Sequence, residues 1–152
     1  MLLPVSHQRQ RRQADCLAAC AAMILGYLQV PIQYNRLLRL LRVDEIGTPF
    51  RNLSNLESLG LSVSIDRSDI DTLRTFLELR LPVITAVDTG ELTSYWPEKT
   101  EHAVVVIGIE ADVVHLDDPA FDMAPQTVSI NEFALAWQAQ DNLYAIIALD
   151  EL

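Results

Sequence analysis

The sequence predicts an α+β fold in which N-terminal helices pack on one side of a mostly antiparallel sheet. Three observations support this prediction. Helical patterns come first along the chain, and strand patterns follow with short helices between them. Half of the residues are hydrophobic and 21% are charged, a composition typical of globular proteins. The length of 152 residues fits one domain, residues 1–152, that is large enough to bury a core.

Five helices are predicted from apolar periodicity and from the residues that start and stop helices. They cover residues 16–28, 34–42, 49–59, 70–79 and 130–137. The first is apolar on nearly all sides, so we expect it to be buried all round. Asp15 is its expected N-cap, because a carboxylate there can accept hydrogen bonds from the free amides of the first turn. Thr48 before Pro49 is the expected N-cap of the third helix, and Gly60 is its expected stop.

Five strands are predicted from runs of apolar residues and from alternation with period two. They cover residues 61–65, 82–87, 102–109, 113–117 and 144–149. Residues 88–100 form a polar loop between the second and third strands, and this loop carries Tyr95 and Trp96. Its position leads us to expect that it forms one wall of a groove.

Charge and cysteine content exclude several classes of protein. The formal net charge is −10, which argues against a nucleic-acid-binding protein and favours basic or neutral substrates. The two cysteines, four residues apart on one helix, do not suit a disulfide, so a reducing compartment, the cytoplasm, is expected. The apolar run 16–28 is too short to cross a membrane, so we expect no membrane insertion. Metal-ligand spacings are absent, and neither a metal nor another cofactor is expected.

Cys16 is the candidate nucleophile. It lies where a polar, arginine-bearing loop meets the first helix, and the amides and dipole of a helix start favour a thiolate over a thiol. Arg11 and Arg12 add positive charge nearby. Cys20, inside the same apolar helix, is expected to be an ordinary core residue.

A cysteine nucleophile needs a base and a group that orients the base. Of the three histidines, His7 lies in the N-terminal segment and His115 lies in the middle of a strand. His102 begins an apolar strand directly after a polar loop, where its side chain can face a cleft, so it is the preferred base. Asp117 and Asp118 end the neighbouring strand, and Asp118 is preferred because strand alternation turns Asp117 to the opposite face.

Stabilisation of an oxyanion needs hydrogen-bond donors near the nucleophile. The backbone amide of Cys16 is one candidate. The side-chain amide of Gln10 or of Gln13 is a second, and the spacing alone leaves this choice open.

The spacing from Gln10 to Cys16, with an acid before the cysteine and a second cysteine four residues later, resembles the papain-like peptidases that process double-glycine bacteriocin leaders. The resemblance continues in the segment His102-Ala-Val-Val-Val-Ile-Gly and in the Asp118-Pro119 pair. It covers nearly the whole chain, in the order cysteine, histidine, aspartate. The closest likeness is to the stand-alone members of that superfamily.

The resemblance implies a papain-like fold and a role for each matching position. Cys16 corresponds to the nucleophile, His102 to the base and Asp118 to the orienting acid. Gln10, in preference to Gln13, corresponds to the oxyanion donor. Two positions differ from the leader peptidases, which usually have glycine where this chain has Leu17 and Glu101. Both differences imply a substrate groove that is narrower or differently charged than that of the leader peptidases.

The sequence therefore predicts a cysteine peptidase that hydrolyses a peptide or isopeptide bond through a thioester acyl-enzyme. The expected partner is a peptide or protein substrate. Two alternatives remain at this point. One is a module of the same fold that binds a peptide without cutting it, and the other is an acyl transferase that passes the acyl group to an amine.

Overall fold

A computed structural model of the chain describes residues 1–150. The last two residues of the expected domain lie outside this part. Four α-helices are present: α1 Cys16–Tyr27, α2 Tyr34–Leu41, α3 Ile70–Glu78 and α4 Ile130–Gln138. Six strands are present: β1 Leu61–Arg67, β2 Val83–Asp88, β3 Glu101–Glu110, β4 Val113–Asp117, β5 Gln126–Ser129 and β6 Leu143–Leu149. Short 3₁₀ helices cover Gln13–Asp15, Phe50–Leu59 and Thr89–Glu91.

The strands form a single sheet in the order β1-β6-β2-β3-β4-β5, and every neighbouring pair is antiparallel. This arrangement confirms the predicted α+β class. The N-terminal helices α1 and α2 pack on one face of the sheet, as predicted, and the later helices α3 and α4 cover the other face. Along β3, Val105 and Ile107 pack in the core that contains α1 and α2, whereas Val104 and Val106 pack in the core that contains α3 and α4. Because both faces of β3 are covered, its sequence is a continuous apolar run.

Three local expectations differ from the structure. The predicted third helix is present over Phe50–Leu59, but as a 3₁₀ helix. Thr48 does not cap it: the N-cap residue is Pro49, and the hydroxyl of Thr48 donates to the carbonyl oxygen of Leu41 at 2.7 Å and accepts from the side-chain amide of Asn52 at 3.0 Å. Strand β5 was not predicted. It has four residues, of which Val128 alone is buried, so no apolar pattern marks it.

The N-terminal segment fixes the start of α1 against the sheet. Leu3 N donates to the carbonyl oxygen of Ile107 at 2.9 Å, and Gln10 N donates to that of Pro119 at 2.9 Å. The chain passes so close to Gly108 that a Cβ there would lie 2.5 Å from a methyl carbon of Leu2. Among residues 1–150, no helix is long and apolar enough to cross a membrane.

Candidate active site

Three elements bring Cys16, His102 and Asp118 together at one end of the sheet. Cys16 is the first residue of α1, His102 is the second residue of β3, and Asp118 directly follows β4. The antiparallel pairing of β3 with β4 places the start of one strand beside the end of the other. His102 Nε2 lies 2.7 Å from Asp118 Oδ1, and both side chains are buried.

The imidazole of His102 contacts the carboxylate of Asp118 and borders the same cleft as Cys16. Burial lowers the pKa of His102, but its hydrogen bond to Asp118 and its interactions with the charges of Asp118 and Cys16 outweigh it and raise the pKa to about 9. Because Nε2 donates to Asp118, Nδ1 is the ring nitrogen left for the thiol. A thiol next to an imidazole that stays protonated at neutral pH can ionise to a thiolate–imidazolium pair.

The carboxylate of Asp118 accepts four hydrogen bonds. Oδ1 accepts from His102 and from the backbone amide of Ala120 at 2.9 Å. Oδ2 accepts from the hydroxyl of Tyr95 at 2.7 Å and from Nε1 of Trp96 at 2.9 Å. Burial raises the pKa of Asp118, but these bonds and the charge of His102 outweigh it and hold the pKa below its usual value. Asp118 is therefore a fixed carboxylate that can hold the ring of His102 in one orientation.

Tyr95 and Trp96 are site residues that the sequence did not assign to Asp118. The end of their loop borders the cleft through Thr100 and Glu101, whereas Tyr95 and Trp96 are not among the lining residues and both donate to this carboxylate. The ring of Trp96 also packs edge-on against the imidazole of His102, with the ring centres 4.9 Å apart. Phe121 packs against both aromatic side chains. The sequence feature that could have identified them is a pair of aromatic residues with hydrogen-bond donors in the loop before His102.

Asp117 faces away from this group, as strand alternation predicts. Its side chain is 2% exposed, and Oδ2 has no hydrogen-bond partner. Burial raises the pKa of Asp117 to about 6, although the charge of His7 opposes the shift. The folded chain therefore favours the protonated form of Asp117 more than an unfolded chain does.

This shift predicts that Asp117→Asn stabilises the protein at alkaline pH. Below pH 4 the carboxyl group of Asp117 is protonated in both the folded and the unfolded chain, so the free energy of unfolding keeps its full value there. It falls as pH rises through the folded-state pKa of about 6, because ionisation then favours the unfolded chain. The variant is expected to gain about 2 kcal/mol at pH 8 and much less at pH 4, because asparagine resembles the protonated acid. Urea unfolding at the two pH values measures the difference. An equal effect at both pH values would contradict the assignment of the shift to this residue.

The structure does not bring the side chain of Gln10 into the cleft. Its Nε2 donates to the carbonyl oxygens of Arg12 and Gln13, both at 3.1 Å, and Oε1 is buried without a partner. The side chain of Gln13 is exposed and borders the cleft. Gln10 therefore needs to leave these two carbonyl groups before it can donate to an oxyanion.

Asp15 occupies the N-cap position of α1, but it makes no capping hydrogen bond, contrary to expectation. Its fully buried carboxylate accepts from Arg12 and from the hydroxyl of Tyr34, both at 3.2 Å. The guanidinium of Arg11 lies 4.2 Å from the centre of the Tyr34 ring. Burial and the charge of Asp15 raise the pKa of Tyr34 to about 12. In the described structure, Arg11 thus contacts Tyr34 and Arg12 contacts Asp15, and neither contact is with the thiol of Cys16.

The other histidines and the second cysteine have separate contacts. His7 Nε2 donates to the backbone oxygen of Asp118 at 2.8 Å, and His115 Nε2 lies 3.2 Å from a carboxylate oxygen of Glu110. Cys20 is fully buried in the core, where burial raises its pKa and the charges of neighbouring acidic groups add to the shift. In the described range, no group of three or more histidine, cysteine or acidic side chains is arranged to hold a metal ion.

The thiol of Cys16 opens on a cleft of about 670 Å³. Most of its lining comes from three parts of the chain: the start of α1, residues 45–50 after α2, and residues 100–103 at the start of β3. The individual lining residues outside the last two segments are Gln13, Ala14, Cys16, Leu17, Ala86, Gln140 and Leu143. Cys16 is partly exposed, whereas His102 is 8% exposed. Cys16 is therefore more accessible from the cleft than His102 is.

A helix that begins with a cysteine and packs on an antiparallel sheet carrying a buried histidine–aspartate pair defines the papain-like cysteine peptidase class. The sequence model of the Peptidase C39 family matches residues 5–145. The chain belongs to that family.

Relatives and solved structures agree with this membership. The chain is 30% identical over 129 residues to the lactococcin-G-processing and transport ATP-binding protein LagD of Lactococcus lactis subsp. lactis. The match covers 84% of this chain but only 17% of LagD. The fold matches the peptidase domain of Streptococcus ComA, a bifunctional ABC transporter involved in quorum sensing, with a TM-score of 0.78, 20% identity and coverage of 95% and 98% of the two chains.

Two further structures share the fold. A putative C39-like peptidase from Bacillus anthracis gives a TM-score of 0.80 at 16% identity and covers 97% of this chain and 96% of its own. A double glycine motif protease from an AMS/PCAT transporter, solved with its leader peptide, gives 0.77 at 20% identity with coverage of 97% and 94%. Family membership supports a cysteine peptidase role for this chain.

Proposed function

We propose that the protein hydrolyses a peptide or isopeptide bond with Cys16 as nucleophile, His102 as general base and acid, and Asp118 as the orienting carboxylate. The observation that carries this proposal is the 2.7 Å contact from His102 Nε2 to Asp118, which leaves Nδ1 for the thiol of Cys16. The cleft at Cys16 gives a substrate access to the sulfur atom.

In the proposed mechanism, His102 takes the thiol proton and the Cys16 sulfur attacks the carbonyl carbon. The carbonyl oxygen then carries negative charge, which the backbone amide of Cys16 and one side-chain amide stabilise. His102 next donates its proton to the leaving amine, so the peptide bond breaks and a thioester with Cys16 remains. A water molecule, deprotonated by His102, attacks this thioester and releases the acid product. Asp118 keeps Nε2 as a donor throughout and stabilises the imidazolium.

Gln10 is the proposed side-chain donor to the oxyanion, on the resemblance of the sequence, and it would act after leaving the carbonyl groups of Arg12 and Gln13. Gln13, which borders the cleft, is the alternative donor. We expect Gln10→Ala to lower kcat about 10²-fold with little change in KM, because the bond strengthens in the transition state. Gln13→Ala, the matched control, is expected to change kcat less than about threefold. Steady-state kinetics on both variants decide between them. The reverse order of effects would assign the donor to Gln13.

The comparisons support a peptide substrate that carries a leader segment. One structural neighbour is a double glycine motif protease bound to its leader peptide, and LagD is a lactococcin-G-processing protein. Both cysteines of this chain are free thiols, which fits the proposed cytoplasmic compartment.

Product masses test the proposed reaction. The wild-type protein is incubated with synthetic leader-containing peptides, with and without an added primary amine, and the products are analysed by mass spectrometry. We expect two fragments whose summed mass exceeds that of the peptide by one water. Products that carry the amine even at low amine concentration would indicate an acyl transferase. A tight complex that persists without products would indicate a peptide-binding module.

A further inference from the structure

Apart from the proposed general base His102, the cleft beside Cys16 is lined by acidic side chains and by no lysine or arginine in the described residues. Apart from His102, its charged side chains in the described structure are Glu45 and Glu101. Glu101 precedes His102 on β3, and Glu45 belongs to the turn before the 3₁₀ helix Phe50–Leu59. Both glutamates are exposed. Two separate segments of the chain therefore each contribute one carboxylate to the opening that leads to the nucleophile.

Neither of these two carboxylates has a paired cation in the part of the chain that the structure describes. None of the ion pairs found within residues 1–150 includes Glu45 or Glu101. The ammonium group of Lys99 is bonded to Asp88, and Lys99 does not border the cleft. The bond to Asp88 is the main cause of the raised pKa of Lys99, and the charge of Glu101 makes a smaller contribution. The overall charge of −10 adds to the same negative potential.

The remaining lining suits the stem of a long basic side chain. Phe50, Ala103 and Leu143 supply apolar surface in the same cleft as the two carboxylates. Lysine and arginine side chains place their methylene groups on such surface and keep the charged end near water or an acid. A glutamate or aspartate in a substrate would meet repulsion from both carboxylates of the cleft.

From the acidic and apolar lining of this cleft we infer that the protein selects peptides with a lysine or arginine side chain close to the cleaved bond. The inference rests on the proposed peptidase function and adds to it the charge of the preferred substrate. The positive side chain lies between the two glutamates when the scissile carbonyl is at Cys16. Since both carboxylates are exposed, the preference weakens as salt concentration rises.

Cleavage of matched peptides tests this preference. A set of peptides differing only in having lysine, glutamine or glutamate at each position around the scissile bond is digested at low salt. At one or more of these positions, we expect kcat/KM to be about fivefold higher for lysine than for glutamine. This is the effect expected of two exposed ion pairs. The double variant Glu45→Gln/Glu101→Gln is expected to lose this preference. Glu98→Gln, which removes an exposed acid that does not border the cleft, is the matched control and retains it.

A second measurement does not require catalysis. In a Cys20→Ala background, Cys16 is modified with cationic, neutral and anionic methanethiosulfonate reagents, and each rate is divided by that for free cysteine. We expect the cationic-to-anionic ratio to exceed one and to fall about fivefold or more in the double glutamine variant. Because all three reagents report on the same thiol, a general change in thiol reactivity cancels in the ratio.

The two experiments separate failure of this inference from failure of the proposed function. Cleavage that depends on Cys16 but shows no preference for basic residues would overturn the inference and leave the peptidase intact. A charge-dependent labelling ratio without any cleavage would support the acidic cleft and count against the peptidase. A labelling ratio that is equal in wild type and the double variant would overturn the inference whatever the protein cleaves.

Discussion

Replacing Cys16 by alanine is expected to abolish peptide hydrolysis while leaving the fold intact. The proposed reaction passes through a thioester on this sulfur, and no other side chain that borders the cleft can form one. We expect kcat/KM to fall by about 10⁴-fold or more, because removal of a nucleophile leaves only binding and oxyanion stabilisation. Cys16 is partly exposed at the first position of α1, so its truncation removes little buried contact. Peptide cleavage and thermal unfolding, measured on the same preparation, test both parts.

Cys20→Ala is the matched control for this prediction. Cys20 lies one helical turn further along α1 and is fully buried, so it packs in the core and does not meet a substrate. We expect this variant to keep its activity and to lose about 1 kcal/mol of stability from the smaller side chain. Residual hydrolysis in Cys16→Ala at more than a few per cent of the wild-type rate would contradict the proposed nucleophile.

Replacing His102 by alanine is expected to lower kcat/KM by about 10³-fold, within the range found when a general base is removed. In the wild-type protein, the pKa of about 9 for His102 means that the imidazolium persists below that pH and is lost above it. Activity that needs this imidazolium to protonate the leaving amine therefore falls as pH rises through about 9. The dependence of kcat/KM on pH measures this limit directly.

His115→Ala is the matched control for the histidine variant. His115 lies in the middle of β4 and contacts Glu110, at the other end of the β3–β4 pair from His102. Its removal is expected to leave both the rate and the alkaline limit unchanged. A His102→Ala variant that retained the wild-type pH profile would show that another group donates the proton.

The network around Asp118 shows what local sequence patterns cannot predict. A cysteine at a helix start, a histidine at the start of an apolar strand and an acid in a turn each have a local signature, and the structure brings these three residues together. Tyr95 and Trp96 lie 23 and 22 residues from Asp118, and nothing in their own segment indicates that their polar atoms donate to its carboxylate. Such long-range hydrogen bonds depend on how β3 pairs with β4.

The fold was predictable where burial controls the sequence pattern. The continuous apolar run of β3 and the all-apolar α1 follow from packing in the core, and both elements were predicted within a few residues of their ends. Strand β5 was not predictable, because one buried residue gives no pattern. Asp15 has the sequence position of an N-cap, but Arg12 and the hydroxyl of Tyr34 bind its carboxylate. Tyr34, which is 19 residues away in sequence, and Arg12 thus bind the carboxylate in place of the backbone amides of the first turn, on which the prediction relied.

The rate of iodoacetamide labelling of Cys16 as a function of pH tests the central claim most directly. Wild type and His102→Ala are compared, with Cys20 replaced by alanine in both so that one thiol reports. A Cys16–His102 pair predicts fast labelling near pH 6 in wild type and at least a tenfold loss in the histidine variant, because the imidazolium stabilises the thiolate. Labelling that is slow near pH 6, rises only toward alkaline pH as for an ordinary thiol, and is unchanged by the histidine substitution would contradict the pair and favour the peptide-binding module.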